Sequence, residues 1–146
     1  MKKLVLLLLC FTTLGLVSCQ KDTIVNQTTP NKTITVDVLP SDWVLSADRN
    51  TYSVDLDKIV NLAEIDRAHL DNDGTIVAIS YPNSAGNFTS YSALPFVYNL
   101  QSYSFTAYEG GIVIEVQNSD TDTVDPIKPS TRVRVKITLV FAENVT

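Results

Sequence analysis

Residues 132–139, Arg-Val-Arg-Val-Lys-Ile-Thr-Leu, alternate strictly between polar and apolar side chains. Successive side chains of an extended strand point to opposite faces, so this pattern predicts a β-strand with one buried face and one solvent-facing face. The apolar set is Val133, Val135, Ile137 and Leu139, and the opposite set is Arg132, Arg134, Lys136 and Thr138. Because parallel sheets usually bury both faces of their strands, a strand with one wet face indicates an antiparallel sheet.

The same period of two recurs in residues 33–38, 52–57 and 102–107, and turn-forming residues such as Gly110-Gly111 separate the runs. Many short strands with regular turn signals are typical of sandwiches. We therefore expect residues 33–146 to form one all-β domain, an antiparallel β-sandwich of seven to nine strands, with an immunoglobulin-like strand order left open. The predicted core comprises Val36, Trp43, Val54, Ile76, Ala78, Phe105, Ile114, Val133, Val135, Ile137 and Leu139.

One segment departs from the strand period and predicts a single short helix near residues 61–72. Asn61 fits the N-cap, and Glu64 stands where a capping box needs its acidic residue. Apolar residues at helical spacing follow on one side, and Asn72-Asp73-Gly74 is a stop signal. The one-sided set is Leu62, Ile65 and Ala68. Later in the chain, Pro95 predicts that residues 94–98 form an edge strand or a bulge.

The N-terminus predicts the location of the protein in the cell. Lys2-Lys3 precede an apolar run over residues 4–17, which is typical of a secretory signal and shorter than the ~20 residues of a membrane span. The run ends in Leu16-Val17-Ser18-Cys19, which resembles the bacterial lipobox. The resemblance implies a signal peptide over residues 1–18 and membrane anchoring through lipid on Cys19. Residues 19–32 are then the lipidated cysteine and a flexible, polar tether.

The residues after the cysteine carry two further resemblances. Gln20, Lys21 and Asp22 resemble the signal that Bacteroidota use to export lipoproteins to the outer face of the outer membrane, which implies a lipid anchor there and a domain facing the cell exterior. A solvated linker on a protein retained at the periplasmic face is the alternative. The Asp-Thr-apolar triplets around Thr23 and Thr123 resemble the O-glycosylation sequence of the same phylum, which implies sugar on those two threonines.

Charge and cysteine content exclude several classes of function. The chain has a net charge of −5, and removal of the two signal lysines leaves about −7, which argues against a nucleic-acid partner. Cys10 leaves with the signal and Cys19 carries the lipid, so no thiol remains for a disulfide, a thiolate metal site or a cysteine nucleophile.

Catalytic and metal-binding patterns are weak, so we expect no enzyme activity, no cofactor and no metal. His69 is the only histidine and is interpreted as a helix-surface or packed residue, and no Gly-x-Ser-x-Gly elbow is present. A small hydrolase is the alternative, with its carboxylates drawn from Glu64, Glu109, Glu115 and Glu143. Calcium at Asp120, Asp122 and Asp125 is a second alternative, against which we favour a solvated acidic loop.

Aromatic and basic residues supply the binding hypotheses. Tyr91 and Tyr108 are candidates for exposed rings that contact a glycan or a protein, although tyrosines in this region also fit a sandwich core. Arg132, Arg134 and Lys136 form a candidate basic face. The first hypothesis is a surface-displayed, non-catalytic module that binds a glycan or a host protein. The alternative is a structural envelope lipoprotein that acts by assembly with other envelope proteins.

The order of these elements is similar to that of a family of small, uncharacterised Bacteroidota outer-membrane lipoproteins with a β-sandwich domain. The matching elements are residues 65–74, 76–81, 94–96, 103–111 and 132–139. The resemblance implies the sandwich fold and the lipid anchor, and it implies no activity.

Overall fold

The structure is a computed structural model and describes residues 29–119 and 125–142. Within these residues lie nine strands, which are β1 (Lys32–Val38), β2 (Val44–Leu45), β3 (Thr51–Asp55), β4 (Gly74–Ser80), β5 (Ser92–Ala93), β6 (Phe96–Tyr98), β7 (Gln101–Tyr108), β8 (Gly111–Asn118) and β9 (Val133–Val140). They form a four-stranded sheet in the order β1-β9-β4-β5 and a five-stranded sheet in the order β2-β3-β8-β7-β6. All strand pairs are antiparallel, which confirms the predicted all-β, sandwich-like class.

Strand β9 occupies the interior of the four-stranded sheet, between β1 and β4. Its apolar alternation is realised in full, because Val133, Val135, Ile137 and Leu139 are all 0% exposed. These side chains join one hydrophobic cluster with residues of the five-stranded sheet, such as Ile114. The strand that most clearly predicted the fold is therefore central to its core.

The predicted core is confirmed at nine of its eleven positions, and Phe105 is half-buried against the cluster. Ile76 was predicted to be buried and is 52% exposed, so that prediction was wrong. Its neighbour Val77 is fully buried and pairs with Ile137, whereas Ile76 pairs with the polar face at Thr138. Strand β4 is apolar at consecutive positions, so its sequence does not specify which parity faces the core.

The outer face of the four-stranded sheet is partly covered by the segment that follows β4. Arg132 and Arg134 lie under the Phe88 ring at 4.9 and 4.2 Å from its centroid, and the Lys136 amine lies 4.5 Å from the centroid of Tyr91. Ser80 pairs with Arg134 on β9 and is only 2% exposed. The C-terminal half of β4 is consequently buried on both faces.

The helix is shorter than predicted and begins later. Helix α1 spans Arg67–Asn72, and the side chain of Asp66 caps it by accepting a hydrogen bond from the His69 amide at 2.8 Å. Asn61, the predicted N-cap, instead accepts from the amide of Ala63. The predicted stop at Asn72-Asp73-Gly74 is confirmed, because the helix ends at Asn72 and β4 begins at Gly74.

Turns rather than a helix bury the apolar residues before α1. Leu62 and Ile65 are 1% and 0% exposed, whereas Ala68, predicted on the same side, is exposed. Glu64 forms an ion pair with Lys32 at 2.9 Å instead of closing a capping box. Helical spacing therefore identified two buried residues correctly and placed them in the wrong element.

The predicted signal peptide, Cys19, the export residues and Thr23 lie outside the described residues. Strand β1 begins at Lys32, the last residue of the predicted tether, and the Asn31 side chain accepts a hydrogen bond from the Phe141 amide. Among the described residues, no helix combines the length and the apolar character that crossing a bilayer requires.

Candidate functional site

A cleft of about 560 Å³ lies where the edge of the four-stranded sheet at β5 approaches the edge of the five-stranded sheet at β6. We call it the aromatic cleft. Its lining residues are Tyr81, Ser92, Phe96, Val97, Tyr98, Tyr103, Ile127, Lys128, Pro129, Ser130 and Thr131. They come from four parts of the chain, so only the folded arrangement brings them together.

Three aromatic rings form the inner part of the aromatic cleft. Phe96 and Tyr103 are directly opposite each other on β6 and β7, and their rings stack at 4.8 Å between centroids and 12° between planes. The Tyr81 hydroxyl donates to the Tyr103 hydroxyl at 3.4 Å, which links the end of β4 to the other sheet. Burial, and then this hydrogen bond, raise the pKa of Tyr81 above its ordinary value. Tyr81 is thus a neutral hydroxyl at physiological pH.

The outer rim of the cleft is the hairpin that joins β6 to β7. Pro95 precedes β6, which is the edge strand that the sequence predicted. Tyr98 is 72% exposed and the turn residue Leu100 is 58% exposed. Asn99 and Leu100 both have positive φ angles, of 50° and 60°, as a two-residue type I′ hairpin requires. Leucine rarely adopts this conformation, so the rim holds an apolar side chain at the cost of backbone strain.

The opposite wall is the segment that leads into β9, and Gln101 fixes it. Gln101 is only 4% exposed, and its Oε1 atom accepts from the Ile127 amide at 2.8 Å. Its Nε2 atom donates to the Leu100 carbonyl at 3.2 Å. Pro126 and Pro129 are buried on either side of Lys128, and proline has a fixed φ angle. A satisfied buried amide and two prolines therefore hold Lys128 at the cleft.

The chemistry of this lining suits the binding of a ligand that has both apolar and hydroxyl surface. Aromatic faces offer flat apolar surface, and the hydroxyls of Ser92, Ser130 and Thr131 can donate and accept hydrogen bonds. Among the described residues that line the cleft, none is an aspartate, a glutamate or a histidine.

A second concavity, of about 430 Å³, lies at the other edge of the five-stranded sheet and includes Val44, Asp55 and Lys58. Two of its charges are paired with each other, since Lys58 lies 3.4 Å from the Asp55 carboxylate. Tyr108, a predicted binding residue, is half-buried and donates its hydroxyl to Asp55. This hydrogen bond raises the pKa of Tyr108 above its ordinary value. The Tyr108 ring is therefore engaged within the fold.

The predicted basic face exists, and its charges have partners inside the molecule. Arg134 makes two hydrogen bonds to the Asp37 carboxylate, at 2.6 and 2.9 Å, and Arg132 lies 3.3 Å from the same group. The hydrogen bonds from Arg134 hold the pKa of Asp37 below its ordinary value. Tyr91 is 38% exposed and lies over Lys136, so it belongs to this face and does not line the aromatic cleft.

The remaining predicted residues are dispersed. His69 is packed, as expected, with its ring nitrogens 3.2 Å from Asp73 and 2.9 Å from Thr75. Asp125 lies 3.4 Å from Arg49. Asp120, Asp122 and Thr123 lie outside the described residues. Residues 29–119 and 125–142 contain no group of three or more potential metal ligands.

The sequence did not identify Tyr81, Tyr98 and Lys128 as cleft residues, or Gln101 as the residue that fixes the cleft wall. One signal could have found Tyr98, since Pro95 had already marked its strand as an edge and tyrosine is exposed more readily on an edge strand than in a sheet centre. The other three carry no local signal, because their roles depend on contacts between distant parts of the chain.

Neither a protein-family model, nor a curated protein, nor a solved structure matches this chain at a significant level.

Proposed function

We propose that this protein is a lipid-anchored, surface-displayed, non-catalytic lipoprotein that binds a glycan in the aromatic cleft. The observation that carries the proposal is the cleft itself, in which exposed Tyr98 faces hydroxyl-bearing residues across about 560 Å³. Saccharides present both an apolar ring face and many hydroxyls, so they complement aromatic rings and side-chain hydroxyls together. The Bacteroidota lipoprotein resemblance of the N-terminus supplies the proposed anchor and its place on the outer membrane.

The direction of the strands supports this combination of anchor and cleft. Lys32, the last residue of the proposed tether, pairs with Leu139 at one end of β1, and Val38 pairs with Val133 at the other. Tyr81 follows Ser80, which pairs with Arg134 near the start of β9, so the cleft lies at the end remote from Lys32. Seven residues of strand separate these ends by roughly 20 Å. A domain anchored through its N-terminus would therefore carry the cleft at the end remote from the point where the tether joins it.

Assembly with envelope proteins is the alternative, and one observation favours it. Strand β6 is an edge strand with Val97 and Tyr98 exposed at 63% and 72%, and edge strands can pair with a strand of another protein. The proposed basic docking face is less favourable for assembly, because Arg132 and Arg134 both already form ion pairs with Asp37. Strand β6 is itself only three residues long, which makes it a weak template for pairing with another strand.

The test is a glycan array probed with the purified full-length lipoprotein and with Tyr98→Ala. Loss of one stacked ring should weaken binding about fivefold, since such contacts contribute about 1 kcal/mol. Val44→Ala is the control, because Val44 is 64% exposed on β2, at the opposite edge of the same sheet.

Three results distinguish the hypotheses. Glycan binding that is weakened by Tyr98→Ala and unchanged by Val44→Ala supports the proposal. Absence of glycan binding, together with a protein partner whose capture depends on Tyr98, would support assembly. Glycan binding that neither variant changes would remove the aromatic cleft as the site.

A further inference from the structure

Lys128 differs from every other cation in the part of the chain that the structure describes. That part contains eight lysines and arginines. Six of them lie within 4 Å of a carboxylate, and Lys136 lies over the Tyr91 ring. Lys128 has neither kind of partner among the described residues, although the chain carries a net charge of −5 and carboxylates are plentiful.

The position of Lys128 in the aromatic cleft connects its lack of a partner among the described residues with ligand binding. Lys128 lines the aromatic cleft, and the described residues that line the cleft with it include no aspartate or glutamate. Its side chain is half-buried, and the backbone on both sides is fixed by Pro126, Pro129 and the hydrogen bond from Ile127 to Gln101. Within the described part of the chain, the cleft therefore presents one positive charge, on a lysine whose backbone is held in place, beside aromatic faces and hydroxyls.

We infer that the ligand of the aromatic cleft is an acidic saccharide whose carboxylate is bound by Lys128. This inference rests on the proposed glycan-binding function and specifies its ligand class. A lysine ammonium donates charge-assisted hydrogen bonds to a carboxylate, and such bonds are stronger than those between neutral groups. Charges elsewhere on the acidic protein oppose an anion weakly, because screening limits their reach to about 8 Å at physiological salt.

The experiment compares paired saccharides that differ only in charge. Oligomers of galacturonate, glucuronate and mannuronate, and the methyl ester of each, are titrated calorimetrically into the full-length lipoprotein. We expect at least one acid to bind about tenfold more tightly than its ester, because a hydrogen bond to a charged group contributes about 1.5 kcal/mol or more. Raising the salt concentration should reduce this preference.

Two variants assign the preference to Lys128. Lys128→Gln should bind the acid and its ester with equal affinity while retaining the affinity of the ester. Lys58→Gln removes the same charge at the opposite edge of the five-stranded sheet and should leave the preference intact. Equal unfolding midpoints of the two variants ensure that the comparison reports binding.

The outcomes separate this inference from the proposed function. Saccharides that bind through Tyr98, with acid and ester bound equally, would overturn the role of Lys128 and leave glycan binding in place. A preference for sulfated over carboxylated sugars would overturn the inference that Lys128 recognises a carboxylate. Absence of binding to all acids, esters and neutral glycans would overturn both proposals.

Discussion

The orientation of β4 is the point at which sequence and structure disagree most directly, and two adjacent substitutions test it. Ile76 is 52% exposed and Val77 is 0% exposed. We expect Val77→Ala to destabilise the protein much more than Ile76→Ala, although isoleucine is the larger residue. Both changes remove a β-branched side chain from the same strand, so the loss of strand propensity nearly cancels in the comparison.

The magnitudes follow from burial. Val77→Ala removes two buried carbons at about 0.8 kcal/mol each and leaves a cavity beside Ile137, for a total loss of about 2.5 kcal/mol. Ile76→Ala removes three carbons that are about half in water already, for a loss of about 1 kcal/mol. If Ile76 rather than Val77 faced the core, Ile76→Ala would lower the free energy of unfolding by about 3 to 4 kcal/mol and Val77→Ala by less than about 1 kcal/mol.

Urea unfolding followed by tryptophan fluorescence provides the measurement. Trp43 is the only tryptophan and is 4% exposed, so its emission should shift on unfolding. For a urea dependence of about 1–3 kcal/mol per molar, a loss of about 2.5 kcal/mol lowers the midpoint by about 1–2.5 M. A larger loss for Ile76→Ala than for Val77→Ala would refute the register of β4 against β9.

Four further outcomes are expected. Gly111→Ala should lower the free energy of unfolding by about 1–2 kcal/mol. The new Cβ would lie 2.7 Å from Cε2 of Tyr108 and would displace the Tyr108 ring from Asp55. A Gly111→Ala protein as stable as wild type would contradict this packing. Asp37→Asn should destabilise the protein at neutral pH, and the difference from wild type should shrink as the pH falls below about 4. The sign follows from the lowered pKa of Asp37, whose stabilisation is complete above its unfolded value and is lost as the pH falls through its folded value, so denaturation curves that stay parallel from pH 7 to 2 would argue against it. Leu100→Gly should raise the unfolding midpoint by relieving about 1 kcal/mol of backbone strain, and a lower midpoint would mean that Leu100 contributes more by packing. Protease treatment of intact cells should remove the domain while a periplasmic protein survives, and Cys19→Ala should release it from the membrane; a domain that is digested only after lysis would place it on the periplasmic side.

The strands and turns were the most predictable part of the fold. Residues 132–139 specify a strand and its buried face, because polar and apolar residues alternate strictly and successive side chains of a strand point to opposite faces. Glycine and proline likewise marked the turn before β8 and the edge strand β6, since their backbone limits are local properties. The helix boundary was less predictable. Asp66 caps the helix in place of the predicted Asn61, and Leu62 and Ile65, which have helical spacing, are buried outside it.

The candidate site could not be predicted in the same way. Tyr91 and Tyr108 were plausible from the sequence, and the fold engages one with Lys136 and the other with Asp55. The exposure of an aromatic ring depends on which segment, distant in sequence, packs against it. Residues adjacent in sequence do not encode this contact.

The sequence by itself determined the all-β class, the buried alternating residues of β9 and the resemblance to an anchored lipoprotein, since each of these depends only on residues that are adjacent in the chain. Only the tertiary structure decided which face of β4 is buried and which charges of the described residues form ion pairs with one another. It alone brought Tyr81, Tyr103 and Lys128 into one cleft. These residues are far apart in the chain. Antiparallel pairing places the end of β4, before Tyr81, beside the start of β9, and the contact between the two sheets brings Tyr103 on β7 against Tyr81.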